Sequence, residues 1–389
     1  MKILMITCTF PPRRFGGITQ SSYNLAKGLV ERGHEVDVCT TDLGDNSNSR
    51  LMVQHKKYID GINVYYFPNI SNFLAFNCRL FLPIGFISFM KEHIKNYDVV
   101  HIHDYRSTLA IITSYYSKKY NKPYILQAHG SMLPFFNKRL IKMIFDVVYG
   151  KKILKNASRI IASTELELEH YAIMKLKNNV EVVPNPIELS SFSNSPEKGN
   201  FRKKYELNDD QIILFLNRIN KIKGIELLLS SYAELETEMS GIMLVIVGPD
   251  DGYLDEMNRL IEKFDIANKI LYVGPLYGNE KLEAYTDADI YLLPSLFESF
   301  GNTVIESLMC GTPVIATENC GNAYLAKKFG RVVKNDKNEF NSAIKDVLSK
   351  KYYNVEEMRD YIKSIFDMDL IMCRIEHIYE NSQEVFEID

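Results

Sequence analysis

Residues 290–313 read IYLLPSLFESFGNTVIESLMCGTP, and the order of residue types in this stretch decides the fold. Ile290-Tyr291-Leu292-Leu293 is a short apolar run without a polar break, as a strand buried on both faces requires. Pro294 and Ser295 stop it. Glu298 lies in the loop that follows, Phe300 to Thr303 open a helix, and Glu306 lies one turn in. Cys310-Gly311-Thr312 ends the helix, and a new apolar run begins at Pro313. Strand, loop, helix and strand in this order form the repeating unit of a parallel sheet covered by helices.

The same rhythm extends in both directions. Upstream, apolar runs at 211–217, 242–248 and 270–274 join those at 289–293 and 313–316, with helical patterns near 224–238, 252–265, 279–285 and 303–310. The first half carries its own series, with strands expected at 2–8, 35–40, 62–67, 98–102, 124–128, 159–163 and 180–183. Helices are expected there at about 18–32, 106–119, 137–156 and 165–175. Between the two series, Pro184-Asn185-Pro186 and the serine-rich 190–196 read as a linker. The expectation is two doubly wound domains, 1–188 and 189–369. The amphipathic tail from Tyr352 is read as helical, with a helix at about 370–389 packing back on the first domain. In such sheets ligands bind at the carboxyl ends of the strands, so two facing sheets would hold them in the cleft.

Length and composition agree with this. The 389 residues exceed one ordinary core, and 46% hydrophobic with 24% charged residues suits a globular chain rather than a disordered one. Met1-Lys2 leads straight into Ile3-Leu4-Met5-Ile6, read as a first buried strand and not a signal peptide. Cys8, Cys39, Cys78, Cys310, Cys320 and Cys373 are scattered, with no metal or disulfide spacing, and fit reduced, mostly buried thiols of a cytosolic protein. The charge is uneven: residues 1–188 hold 24 Lys and Arg against 15 Asp and Glu, and the remainder holds 22 against 34. A basic first half suits an anionic surface. Lys138, Arg139, Lys142, Lys151, Lys152, Lys155 and Arg159 read either as a solvated helix face or as a membrane-surface patch. The segment 72–90, rich in Phe and Leu, is broken by Arg79 and Pro83 and is too short to span a bilayer.

Four local patterns carry chemistry. At 298–306, free N–H groups of a helix start suit a diphosphate, and the flanking Glu298 and Glu306 suit hydroxyl groups, since carboxylates repel phosphate. Thr303-x-x-Glu306 also reads as a capping box that needs no ligand. At 214–224, a strand ends on Arg218, and Lys223-Gly224 starts a helix. Two cations there suit a leaving group that gains negative charge. Lys221 reads as solvated. At 10–17, Phe10-Pro11-Pro12-Arg13-Arg14-Phe15 leads to Gly16-Gly17 before a helix, without the G-x-G-x-x-G of nicotinamide cofactors. At 125–130, a strand ends on His129-Gly130. His101 and His103 share a strand face with Asp104 beyond, a spacing open to a metal but not assigned one. Asp287-x-Asp289 and Asp367-x-Asp369 read as turns.

Two glutamates with seven residues between them, followed by Cys310-Gly311-Thr312-Pro313-Val314-Ile315, resemble the signature of retaining GT-B glycosyltransferases, in particular glycosyltransferase family 4. The 214–224, 10–17 and 125–130 patterns occur in the family's order, so the resemblance covers nearly the whole chain. It implies α/β GT-B architecture, with two Rossmann-like doubly wound domains facing across a cleft. The first would bind acceptor and the second a nucleotide-diphosphate sugar. It implies that Glu298 contacts donor-sugar hydroxyls, Glu306 the ribose, Arg218 and Lys223 the diphosphate, and the amides of Phe300, Gly301, Asn302 and Thr303 sugar and phosphate. Leu276 would lie near the base, Gly16 and Gly17 near phosphate or acceptor, and His129 near the donor sugar.

The activity so implied is transfer of a hexose-type sugar with retention to a saccharide or lipid-linked acceptor, as in polysaccharide or glycan biosynthesis. No cofactor, metal or nucleic acid is expected. The location expected is cytoplasmic, with peripheral attachment to an anionic membrane face through the basic domain. A sugar-nucleotide epimerase, a glycosyl phosphorylase and a non-catalytic nucleotide-sugar-binding protein stay open as alternatives.

Overall fold

The computed structural model describes all residues except 14–15, 46–48, 134–138, 175, 177–178, 193–195, 208, 350–352 and 387–389. Arg14, Phe15, Lys138 and part of the serine-rich stretch therefore lie outside the described residues. The chain divides into two units, Met1–Glu188 with Phe366–Asp389, and Leu189–Ile365. Residues 366–369 thus belong with the first unit.

In the first unit the described strands are β1 (Lys2–Ile6), β2 (Glu35–Thr41), β3 (Lys56–Ile59), β4 (Ile62–Phe67), β5 (Val99–His103), β6 (Tyr124–Gln127), β7 (Arg159–Ala162) and β8 (Val180–Val182). They form one sheet in the order β3-β4-β2-β1-β5-β6-β7-β8. Every pairing is parallel except that of β3 with β4. Alternation along β1 assigns its side chains to two cores: Leu4 and Ile6 join Phe86, Ile102 and Leu126 on one face, while Ile3 and Met5 join Leu25, Leu29 and Ile125 on the other. The second face is closed by the helix Met368–Phe386, whose Ile371, Met372, Ile375, Ile378 and Tyr379 belong to that core. Arg32 clamps this helix, donating from Nε and Nη2 to the Glu376 carboxylate at 2.9 Å each.

Strand β3 was not among the expected elements, although Asp60 and Gly61 carry the positive φ (47° and 84°) of a tight hairpin turn into β4. Its Lys56-Lys57-Tyr58-Ile59 is largely exposed and lacks the alternation of a half-buried strand. The helix expected at 137–156 is interrupted. It runs as Arg139–Phe145, a wider turn at Asp146–Gly150, and Lys151–Asn156. At the interruption Arg106 grips Asp146 (2.6 Å), and Gly150 lies so near the Tyr105 hydroxyl that a Cβ would come within 2.0 Å of it. The 72–90 segment divides: Phe81, Phe86 and Phe89 are core, whereas Phe73, Leu80, Ile84 and Ile87 are exposed. Four cysteines are buried; Cys78 and Cys373 are exposed.

In the second unit the described strands β9 (Gln211–Leu216), β10 (Ile242–Val247), β11 (Ile270–Gly274), β12 (Ile290–Leu293), β13 (Val314–Thr317) and β14 (Gly330–Val333) are all parallel, in the order β11-β10-β9-β12-β13-β14. Counted from β9, this is the 3-2-1-4-5-6 order of a dinucleotide-binding sheet. Strand β14 was also missed; Gly330-Arg331-Val332-Val333 is too short and mixed to stand out. Asp287 and Asp289 are structural. Asp287 accepts from the N–H groups of Gly199 (2.5 Å) and Arg202 (2.9 Å) at the start of the helix Asn200–Lys204, and Asp289 pairs with Arg202 at 2.9 Å. Asp367 caps the last helix by accepting from the Leu370 N–H at 2.9 Å.

Ile378 is wholly buried in the seam between the last helix and the first sheet. Ile378→Ala is expected to lower the stability of the first unit by about 3 kcal/mol, the cost of a large-to-small core change. Following that unit's own transition in urea measures it, since two units need not unfold together.

Candidate active site

The order of each sheet reverses at one point, and there the loops after adjacent strands diverge and leave a crevice. In the second unit the reversal lies between β9 and β12. The loop after β9 carries Arg218 and Lys223, and the loop after β12 carries Glu298. The two loops are joined by the Leu296 N–H donating to the Ile222 carbonyl at 2.8 Å. Gly224, at φ 76°, makes the approach possible, because a Cβ there would fall 1.9 Å from the Pro294 carbonyl oxygen.

Across this seam the Lys223 ammonium donates to Glu298 Oε2 at 2.5 Å, with side-chain exposures of only 9% and 19%. Burial by itself raises the Glu298 pKa. The charge and hydrogen bond of Lys223, the charge of Arg218 and the Phe300 N–H more than offset it, so the carboxyl is held below its usual value. The backbone of Glu298 is also fixed: its N–H donates to the Asn319 carbonyl (3.1 Å) and its own carbonyl accepts from Gly321 (2.8 Å). Arg218 is half exposed and ion-pairs with Asp251, which also accepts from Asn220 Nδ2 at 3.1 Å. Lys221 points outward, 3.8 Å from Glu226.

Phe300 is buried, and Gly301, at φ 79°, precedes the helix Asn302–Met309. A Cβ on Gly301 would meet Cys320 Sγ at 2.8 Å. No side chain caps this helix, so the Thr303–Glu306 capping box is not made. Thr303 already lies inside the helix, past the position from which a side chain caps it. Glu306 turns instead to Lys281 Nζ (2.8 Å) and accepts from the Tyr285 hydroxyl (3.2 Å). Asn302 Oδ1, in the first turn, is a buried side-chain oxygen with no hydrogen-bond partner. Leu276 is buried just beyond β11.

In the first unit the reversal lies between β1 and β5. Gly16, at φ 118°, precedes the helix Gly17–Glu31, and a Cβ on Gly17 would meet nothing within 4 Å. His129 and Gly130 both hold positive φ (48° and 78°) after β6. Such backbone is unfavourable for histidine and is supported here by a buried carboxylate. Glu167 accepts from the Gly130 N–H at 2.6 Å and from the Ser163 N–H at 2.7 Å. Burial drives the His129 pKa down to about 3, so the ring is neutral. His129 Nε2 and His103 Nδ1 lie 2.9 Å apart, His103 stacks on His101 at 4.2 Å, and His101 Nδ1 meets the Tyr379 hydroxyl at 2.8 Å. The two strand histidines therefore belong to a ring stack, and Asp104 turns away to accept from the Cys8 N–H at 3.0 Å.

In the second unit Arg218, Lys223, Glu298 and Phe300 to Glu306 follow the two strands at the reversal; in the first, Gly16 and Gly17 follow β1, whereas His129 follows β6, one strand away, and meets the end of β5 through His103. Sequence reading missed the groups that hold them, namely Asp251, Lys281, Tyr285, Glu167 and the 319–321 backbone. Most of these supporting groups lie far along the chain from what they hold and show no pattern of their own; Glu167, in a Thr164-x-x-Glu167 pattern four residues from Ser163, had a local one.

Residues 15–191 match the family model described as Glycosyltransferase Family 4, and residues 197–365 match the one described as Glycosyl transferases group 1. An uncharacterized glycosyltransferase of Methanocaldococcus jannaschii is 29% identical over 337 residues, covering 82% of this chain and 80% of that one. The alpha-monoglucosyldiacylglycerol synthase of Streptococcus pneumoniae is 27% identical, covering 84% and 72%. In fold the chain is similar to a sucrose-phosphate synthase from Thermosynechococcus elongatus (TM-score 0.75, 20% identity, all of both chains). It is also similar to Anabaena HepE in complex with UDP and glucose (TM-score 0.73, 18% identity, 97% and 98% covered).

The buried pair yields a test of sign. Native Glu298 titrates below its unfolded-state value, so its contribution is complete above that value and is lost as pH falls through the native one. In Lys223→Ala the burial penalty stands without its counter-charge, the native pKa rises, and protonation becomes favourable to the folded state. The substitution is expected to cost about 3 kcal/mol near neutrality. That cost should be markedly smaller at about pH 4 than near neutrality, because without Lys223 the carboxyl takes up its proton more readily. Urea melts at the two pH values measure it; an equal cost at both would show that Lys223 does not govern Glu298.

Proposed function

The chain belongs to the family 4 and group 1 glycosyltransferases and has the GT-B fold, and from this we propose that it moves a hexose-type sugar, with retention, from a nucleotide diphosphate to a saccharide or lipid-linked acceptor. The observation that carries this reading is the Lys223–Glu298 pair at the sheet reversal, with Arg218 beside it and an uncapped helix start following. A cation next to a hydroxyl acceptor is what the junction of a phosphate and a sugar demands. Lys223 and Arg218 neutralise the departing diphosphate, and Glu298 accepts from sugar hydroxyls. Glu306, oriented by Lys281 and Tyr285, takes the ribose, and Leu276 borders the base. Gly16 and Gly17 give backbone access in the first unit, which takes the acceptor. Neutral His129 contributes no charge and serves as a polar contact near the donor sugar.

Retention without a carboxylate nucleophile follows if the acceptor attacks on the leaving-group side and the donor phosphate receives its proton. Lys223 and Arg218 then stabilise charge where it grows, and no metal is needed. Relatives support the donor class: HepE is seen with UDP-glucose, and the Streptococcus synthase is named for a glucosyl lipid. We place the reaction in cell-surface polysaccharide or glycan biosynthesis at the cytoplasmic membrane face.

Arg218→Ala and Lys223→Ala are each expected to lower turnover by about a hundredfold to a thousandfold, the loss typical of one charge-stabilising group. Lys221→Ala should stay close to wild type. Near-normal turnover in both of the first two variants would reject the assignment. Screening UDP-, GDP- and ADP-sugars by thermal shift identifies the donor, a saturating one adding about 2.7 kcal/mol at a hundred times its Kd.

A further inference from the structure

The helix Arg139–Phe145 and the wider turn Asp146–Gly150 that continues it face the wrong way for a protein in water. Leu140, Ile141, Met143, Ile144, Val147 and Val148 are 46–71% exposed, and no residue of Arg139–Phe145 is buried. At 100° per residue the four in the helix, Leu140, Ile141, Met143 and Ile144, fall within an arc of about 160°, and the exposed Val147 and Val148 follow in the wider turn. The residues turned toward the protein are the half-buried Lys142, Phe145 and Asp146. Phe145 rests edge-on against Tyr105, and Asp146 is held by Arg106 at 2.6 Å. The segment is thus anchored through Phe145 and Asp146 and presents the rest of its apolar residues outward. A second exposed group, Leu80, Ile84 and Ile87, adjoins the same β5-to-helix turn, where the Thr108 hydroxyl donates to the Phe81 carbonyl.

Charge indicates what covers this face. Between 139 and 155 the chain carries Arg139, Lys142, Lys151, Lys152 and Lys155 against a single acid, Asp146, which Arg106 already neutralises. Arg139, Lys151, Lys152 and Lys155 are exposed. Protein interfaces are depleted in lysine, whereas an apolar stripe flanked by lysine is the pattern of a helix lying in the headgroup layer of an anionic bilayer. We propose that the face Leu140–Val148 is the membrane-docking element of this protein, immersed in an anionic lipid surface, with Lys151, Lys152 and Lys155 at the headgroups. The docking itself stands on the surface alone; that it delivers a lipid-linked acceptor rests on the transferase reading above.

The chain contains no tryptophan, so Ile144→Trp creates a single reporter. With phosphatidylglycerol-containing vesicles its emission should shift to the blue and be quenched by brominated acyl chains. Tyr58→Trp, 71% exposed on β3, should show neither effect. Ile141→Glu with Ile144→Glu should weaken vesicle binding on the order of tenfold or more. Lys151→Gln and Lys152→Gln should each weaken it about fivefold at low salt. An emission spectrum of the Ile144→Trp variant that vesicles leave unchanged overturns the proposal. So does a blue shift without lipid that grows with protein concentration alongside a doubled mass by light scattering, which assigns the face to a second copy. Donor thermal shift on the same variants separates the two readings: intact donor binding with no vesicle binding removes the docking face only, and vesicle binding without any donor response removes the transferase assignment only.

Discussion

A lysine ammonium and a glutamate carboxylate, both largely withdrawn from water, face each other at 2.5 Å where the second sheet reverses its strand order. Neither charge tolerates that position alone, because desolvation costs several kcal/mol per ion and only the partner offsets it. The pair is therefore weak evidence for stability and stronger evidence for a function that needs both groups present and dry. It also explains the local backbone. Gly224 allows the two loops to touch, Gly301 allows the chain to pass under Cys320, and the 319–321 segment holds Glu298 from behind.

The first unit meets the same geometric demand by other means. Its half-buried ion pair, Arg106 in the turn after β5 with Asp146 at 2.6 Å, ties down the Asp146–Gly150 turn. A neutral ring stack, His101, His103 and His129, runs from the last helix to the β6 corner, and Glu167 supports that corner through two backbone N–H groups. Burial keeps these imidazoles uncharged, so the stack transmits position rather than charge. The last helix completes the core of this unit despite its distance along the chain, and Tyr379 ties it to the base of the stack. The second unit thus holds paired charges at its reversal, and the first holds a neutral ring stack.

The sequence by itself determined the architecture and singled out the residues that line the second sheet's reversal. Apolar runs alternating with amphipathic stretches leave little choice but parallel sheets, since each strand core must be covered on both faces. Glu298, Arg218 and Lys223 were legible because the segments that carry them are short and follow buried strands, and Glu306 because it lies one turn into the helix that continues the Glu298 loop. Short or mixed strands such as β3 and β14 were not legible, because pairing with a neighbour stabilises them, and periodicity does not report it.

Tertiary structure alone decided what holds and modifies those groups. Thr303-x-x-Glu306 has the residues of a capping box, yet Glu306 goes to Lys281 and Tyr285 because the helix begins earlier than a cap at Thr303 requires. Asp251 and Tyr379 have no local pattern, since their partners lie far away in the chain, and nothing local shows that Glu167, besides bonding Ser163, also reaches Gly130. The outward apolar face at 140–148 was hidden for a related reason: periodicity shows that a helix has an apolar side, but only the packing of its other side, through Asp146 and Phe145, shows which way that side points.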